Sequence, residues 1–139
     1  MLRRTIPDVV HDQDLLTIGA RENVRTAARR MAERKVRSIL VVGDAGLEGI
    51  FTGTDMVERV VAAGLNPEQT PIDAVMTRDP ETIAPDALAI EALRQMQEGG
   101  YRHLPVVEQG RLVGIVSRKD FRHDEEMEIE QEQQLWEHL

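Results

Sequence analysis

Shifted by 65 residues, this chain overlays on itself without a gap. Of the 42 pairs between positions 15–56 and 80–121, thirteen are identical, among them Thr17/Thr82, Ile18/Ile83, Arg37/Arg102, Gly49/Gly114 and Asp55/Asp120. Average composition would give roughly two or three by chance. The register extends upstream, where Asp8 and Val10 match Asp73 and Val75. Such a repeat restricts the fold before any single residue is weighed. What one copy forms the other should form, and each is too small to bury a stable core alone.

Within each copy the hydrophobic pattern changes period in the same order. A short extended piece (Leu16–Ile18; Thr82–Ile83) precedes apolar residues at helical spacing: Val24, Ala27, Ala28 and Met31, then Ala89, Ala92, Leu93 and Met96. Asn23 and Asp86 are the N-caps this spacing suggests. Two apolar runs joined by a glycine-containing turn then read as a hairpin, Ile39–Val42 with Leu47–Thr52 and Leu104–Val107 with Leu112–Ser117. A second helix is expected near Asp55 and near Asp120, and Gly64 with Pro67 would stop the first of these. The expected class is α+β: two β-α-β-β-α repeats, packed sheet to sheet about a pseudo-twofold axis. Their boundaries are 5–64 and 70–123, and 124–139 form an acidic tail that is partly helical.

Charge separates that tail from the rest. Residues 121–139 hold seven acids and one base, which is -6 of the chain's net -8, so residues 1–120 carry only -2. No basic stripe suited to nucleic acid can be read. There are no cysteines, which removes disulfides, thiolate metal sites and thiol nucleophiles. No stretch is apolar enough to read as a signal peptide or membrane span, so a soluble cytoplasmic protein is expected.

The pattern G-x-x-[ST]-x-x-D recurs at the end of each second hairpin strand, as Gly49–Asp55 and Gly114–Asp120. A hydroxyl at a helix start suits a phosphate oxygen. A carboxylate three residues on can accept from two neighbouring hydroxyls, as on a ribose. Seen once, the same residues are an ordinary helix cap, and duplication copies caps as faithfully as ligands. Arg37 and Arg102 stand just before the buried strands, beside Ser38 and His103, where a guanidinium could meet a phosphate. The copies differ between hydroxyl and carboxylate: Gly53 and Thr54 in the first, Arg118 and Lys119 in the second. Two added cations favour a more anionic ligand, so the second motif is expected to hold the phosphorylated end more tightly.

The segments YRHLPVVEQGRLVGIVSRKD and VRSILVVGDAGLEGIFTGTD resemble cystathionine-β-synthase (CBS) domains, and IDAVMTRDPETIAPD resembles their lead-in. The resemblance covers roughly residues 5–123. It is closest in copy two; in copy one Leu40 stands where the family usually has proline. It implies a paired regulatory module, the Bateman module, that binds AMP, ADP, ATP, NAD or S-adenosylmethionine in two clefts between the motifs. By position, Thr17, Ile18, Ile39 and Leu40 would line adenine in one site and Thr82, Ile83, Leu104 and Pro105 in the other. Asp55 and Asp120 would take ribose hydroxyls. Thr52 and Ser117 would meet phosphate or ribose, and Arg37, Arg102 and His103 phosphates. Thr54, Arg118 and Lys119 flank them. A homodimer that signals to another protein is the implied assembly.

Catalysis is not expected. The four histidines, His11, His103, His123 and His138, form no metal pair at helical spacing, and no nucleophile has a base at hand. The competing reading is an interaction module without a ligand, for which Leu135, Trp136 and Leu139 in the tail could supply an apolar contact.

Overall fold

The computed structural model describes residues 2–138. Contacts divide the chain into two compact units, Asp14–Pro80 and Met1–Gln13 with Glu81–Leu139. This division does not follow the sequence repeat. The lead-in of copy one, up to Gln13, packs with copy two, and the lead-in of copy two, up to Pro80, packs with copy one.

In the first unit, β1 (Thr17–Ile18) runs parallel to β2 (Ser38–Gly43), β2 pairs antiparallel with β3 (Gly46–Thr52), and β3 with β4 (Thr77–Arg78). Helix α1 (Val24–Arg34) covers this sheet with Val24, Ala27 and Met31, which pack on Ile39, Val41 and Phe51. Fully burying such a side chain contributes about 1.5–3 kcal/mol. Asn23 caps α1 as its position suggests, accepting from the Thr26 N–H at 2.9 Å. The lead-in supplies further acceptors: Val24 N–H donates to Thr70 O at 2.9 Å and Arg25 N–H to Pro67 O at 3.1 Å. That lead-in also contributes Ile72, Val75 and Met76 to the core. After β3 comes α2 (Gly53–Asp55), continued by a wider helical stretch, Met56–Val61, which buries Val60. It stops before Gly64, where φ is +73°.

The second unit repeats this with substitutions. Helix α3 (Ala89–Gly99) packs Ala92, Leu93 and Met96 on the hairpin of β5 (His103–Glu108) and β6 (Arg111–Ser117). The expected extended piece is reduced to one bridge, Ile83 beside Val106. The expected cap at Asp86 is not formed. Helix α3 begins at Ala89, Glu91 accepts from the Leu88 N–H at 3.1 Å, and Ala89 N–H donates to Arg3 O at 2.7 Å. The N-terminal segment thus does for α3 what the Thr70 region does for α1. Among the described residues, no strand equivalent to β4 lies beside β6. Instead the Gln13 carboxamide donates to Ile115 O and accepts from Ile115 N–H, both at 2.9 Å. One side chain reproduces the exchange of bonds that the Thr77 backbone makes with Ile50 in the first unit.

Beyond β6 the copies part. A single helical turn, Arg118–Asp120, is broken by Phe121 and Arg122 in extended conformation. A new helix, α4 (His123–Glu137), then takes up the acidic tail. It packs on α3 through buried Ile129, an Arg94–Glu132 ion pair at 2.9 Å and a Gln97–Gln133 hydrogen bond at 3.0 Å. Leu135 and Trp136 stay exposed, at 65% and 74%.

The repeated glycines 49 and 114 answer to the lead-ins. A Cβ at Gly49 would lie 2.8 Å from Thr77 O and 2.5 Å from Met76 Sδ. At Gly114 it would meet the end of the Gln13 side chain at 3.0 Å. Backbone cannot move aside as a side chain can, so Gly49→Ala should cost about 1–3 kcal/mol and Gly114→Ala clearly less. Urea unfolding of the two variants checks the order.

Candidate functional site

Strand register brings most of the expected residues together within each unit. In the first, Thr17 lies beside Leu40 and Ile18 beside Val41, while Ser38 faces Thr52 across the hairpin. Gly53 N–H donates to Arg37 O at 3.0 Å, which folds the start of α2 back onto the residue before β2. In the second, His103 faces Ser117 and Pro105 faces Ile115, Ile83 N–H donates to Pro105 O, and Arg118 N–H donates to Arg102 O at 3.0 Å. The hydroxyl, the carboxylate and the arginine before the strand therefore share one corner in each copy. The side chains of Ile18, Ile39, Ile83 and Leu104 belong to the cores, so only their backbone is left to face a ligand. Leu40 and Pro105 are buried without joining those clusters. Thr54, Thr82, Arg37, Arg102 and Lys119 are exposed.

The turns themselves are capping boxes. Asp55 Oδ2 accepts from the Thr52 N–H at 2.9 Å and the Thr52 hydroxyl at 3.1 Å, and Asp55 N–H donates back to Thr52 Oγ1 at 3.3 Å. Asp120 Oδ2 accepts from the Ser117 N–H at 2.8 Å and the Ser117 hydroxyl at 3.2 Å. The other carboxylate oxygen tells the copies apart. Asp55 Oδ1 lies 3.5 Å from Arg59 Nε, one helical turn on. The position equivalent to Arg59 is Asp124, and Asp120 Oδ1 has no hydrogen bond or ion pair among the described residues. The D-x-x-x-R spacing of Asp55 and Arg59 is the sequence signal for this i,i+4 pair.

Cations and a histidine surround the second turn. The Arg118 guanidinium does not stand free beside Lys119. It donates to Gln97 Oε1 on α3 at 3.2 Å, and its Nε is buried with no partner among the described residues. His103 is half-buried. Desolvation, reinforced by Arg102 and Lys119 and opposed by Asp120, holds its pKa below the ordinary 6.5, so the imidazole is neutral at pH 7. Among the described residues, no group of three or more His, Asp or Glu side chains is placed to hold a metal ion. Among the described residues, no helix is long and apolar enough to cross a membrane.

Two stretches, 6–62 and 72–124, each match the family model of the CBS domain. The chain belongs to the CBS-domain family. It is 46% identical over 102 residues to the CBS domain-containing protein CBSCBSPB2 of Arabidopsis thaliana, a match spanning 73% of this chain and 19% of that much longer protein. It is 33% identical to the CBS domain-containing protein YhcV of Bacillus subtilis, covering 75% of this chain and 74% of that one. Among solved structures, a putative signal-transduction protein with CBS domains from Burkholderia ambifaria is 30% identical with a TM-score of 0.73, covering 76% of this chain and 78% of that chain. The CBS domain protein PAE2072 from Pyrobaculum aerophilum, complexed with AMP, has a TM-score of 0.79 at 21% identity, covering 92% and 98%; that likeness speaks for the fold. A CBS pair is typically a regulatory module, and the mixed α/β repeats here are those of the CBS fold.

The His103 shift has a measurable sign. Its folded pKa is depressed, so the unfolded chain binds more protons at mildly acid pH. Its contribution to stability should be complete above pH about 6.5 and lost as pH falls through the folded value. An NMR titration, assigned with His103→Gln, should show this imidazole titrating below 6.5; a midpoint at or above that value would contradict the burial argument.

Proposed function

We propose that this CBS pair is a cytoplasmic regulatory module that binds an adenosine nucleotide, AMP, ADP or ATP, and passes its state to a partner protein without catalysing a reaction. The observation that carries the reading is the Asp120 carboxylate. One oxygen is fixed by Ser117 and the other has no partner among the described residues, beside Arg102, Lys119 and a neutral His103. That oxygen suits the hydroxyls of a ribose, and the cations suit phosphate. Backbone at Thr82, Ile83, Leu104 and Pro105 would meet the adenine.

In the first site Thr17, Ile18, Ile39 and Leu40 would do the same. Thr52, Thr54, Asp55, Arg37 and Ser38 would serve sugar and phosphate. There Arg59 competes for Asp55, so the second site is the tighter one. The AMP found in PAE2072 supports the ligand class. NAD and S-adenosylmethionine carry the same ribose and belong in the same titration. A homodimer is proposed as the working assembly. Val57 and Val61, one turn apart and 62% and 68% exposed, offer an apolar strip for it. The rival, a ligand-free interaction module, draws on the capping boxes, which give both aspartates a structural task.

Calorimetric titration with AMP, ADP, ATP, NAD and S-adenosylmethionine decides between them. Asp120→Asn should weaken nucleotide binding about tenfold, about 1.4 kcal/mol, and Asp55→Asn should weaken it less. No heat with any ligand would favour the interaction module. Equal affinity in Asp120→Asn and the parent would remove the ribose role.

A further inference from the structure

The turn that carries the second site is tied to both ends of α4. Near its start, Arg3 forms two bonds to Glu125, Nε to Oε2 at 3.2 Å and Nη2 to Oε1 at 2.5 Å. Only 14% and 13% of these side chains are exposed. The same Nη2 donates to the Asp120 carbonyl at 3.4 Å, and Glu125 accepts from the Arg122 N–H at 2.9 Å. Phe121, between turn and helix, is buried in the core of this unit. Near its end, Gln97 of α3 accepts from Arg118 at 3.2 Å and donates to Gln133 of α4 at 3.0 Å. The first unit has neither link, since α2 runs on without a break from Asp55.

These two ties differ in strength. The Arg3–Glu125 pair is charged, bidentate and mostly shielded. The Gln97 bridge joins a guanidinium to a neutral amide, and the Arg118 Nε beside it has no partner among the described residues. A phosphate oxygen is a better acceptor for that guanidinium than the Gln97 amide. The half of α4 beyond Ile129 is held otherwise by the half-exposed Arg94–Glu132 pair, which is weak support. Few buried contacts mark it as the part that opens first.

We propose that Arg118, Gln97 and Gln133 form a relay by which a phosphorylated ligand at the Ser117–Asp120 turn loosens the C-terminal half of α4, while Arg3 keeps its first turn docked. This rests on the nucleotide-binding reading above and adds its output: Leu135 and Trp136 change their presentation when the ligand binds. Gln97 is a positioning residue here and touches no ligand. By linkage, a partner that captures the loosened half raises nucleotide affinity by the same factor.

Amide hydrogen exchange and Trp136 fluorescence test it, Trp136 being the chain's only tryptophan. Saturating AMP should speed exchange over 131–137 about fivefold, roughly the worth of one hydrogen bond, and leave 123–129 unchanged. Adenosine, which lacks the phosphate, should leave both stretches unchanged. Without ligand, Gln97→Ala should already show the faster exchange over 131–137. It should bind AMP by calorimetry and give no further change in Trp136 emission. Two results would overturn the relay: AMP binding with unchanged exchange over 131–137, or Gln97→Ala exchanging like the parent without ligand. Failure of the parent protein to bind AMP, ADP or ATP would overturn the nucleotide reading itself and the relay with it.

Discussion

Helices α1 and α3 each begin with N–H groups that need acceptors from outside the helix. In both copies a lead-in segment supplies them: Thr70 and Pro67 carbonyls for Val24 and Arg25, the Arg3 carbonyl for Ala89. Much of each unit depends on that approach. It brings Ile72, Val75 and Met76 under α1 and Val10 under α3. It sets Thr77 or Gln13 against the open edge of the last hairpin strand. It also explains why glycine recurs at 49 and 114, where a side chain would meet the incoming segment. A lone copy without its lead-in would leave helix starts and a sheet edge unsatisfied, at the usual cost of unpaired backbone.

The repeat made the order of elements legible, because period-3.6 and period-2 patterns alternate in the same register in both copies. It could not show which lead-in serves which copy, since that pairing is made across long separations, such as the 82 positions from Thr5 to Ala87. The cap at Asp86 was misplaced for the same reason: Arg3 supplies the acceptor that local sequence appeared to need. The Ser/Thr–Asp turns were legible from spacing alone. Their surroundings were not. Gln97, Gln13 and Arg3 act on the second unit through long-range contacts that leave no periodic trace. The acidic tail was ambiguous because charge argues for solvation. Ile129 and two ion pairs, Arg3–Glu125 and Arg94–Glu132, offset that.

Capping and ligand binding first look like rival uses of Asp55 and Asp120. Under the proposed nucleotide-binding function they are successive uses of one group. Oδ2 closes the cap and thereby fixes the carboxylate plane, and Oδ1 is then held at a set place and angle. A group ordered before binding loses less entropy on binding. Duplication could therefore copy the cap unchanged while divergence worked on the second oxygen and its neighbours. In copy one, Arg59 takes that oxygen into an ion pair within its own helix. In copy two the same position is Asp124, and the helix breaks at Phe121, so no cation from the next turn competes. The break does more than free Asp120. It lets a separate helix start where Arg3 can hold it, so the copy with the more available carboxylate is also the one whose turn is tied to a second helix.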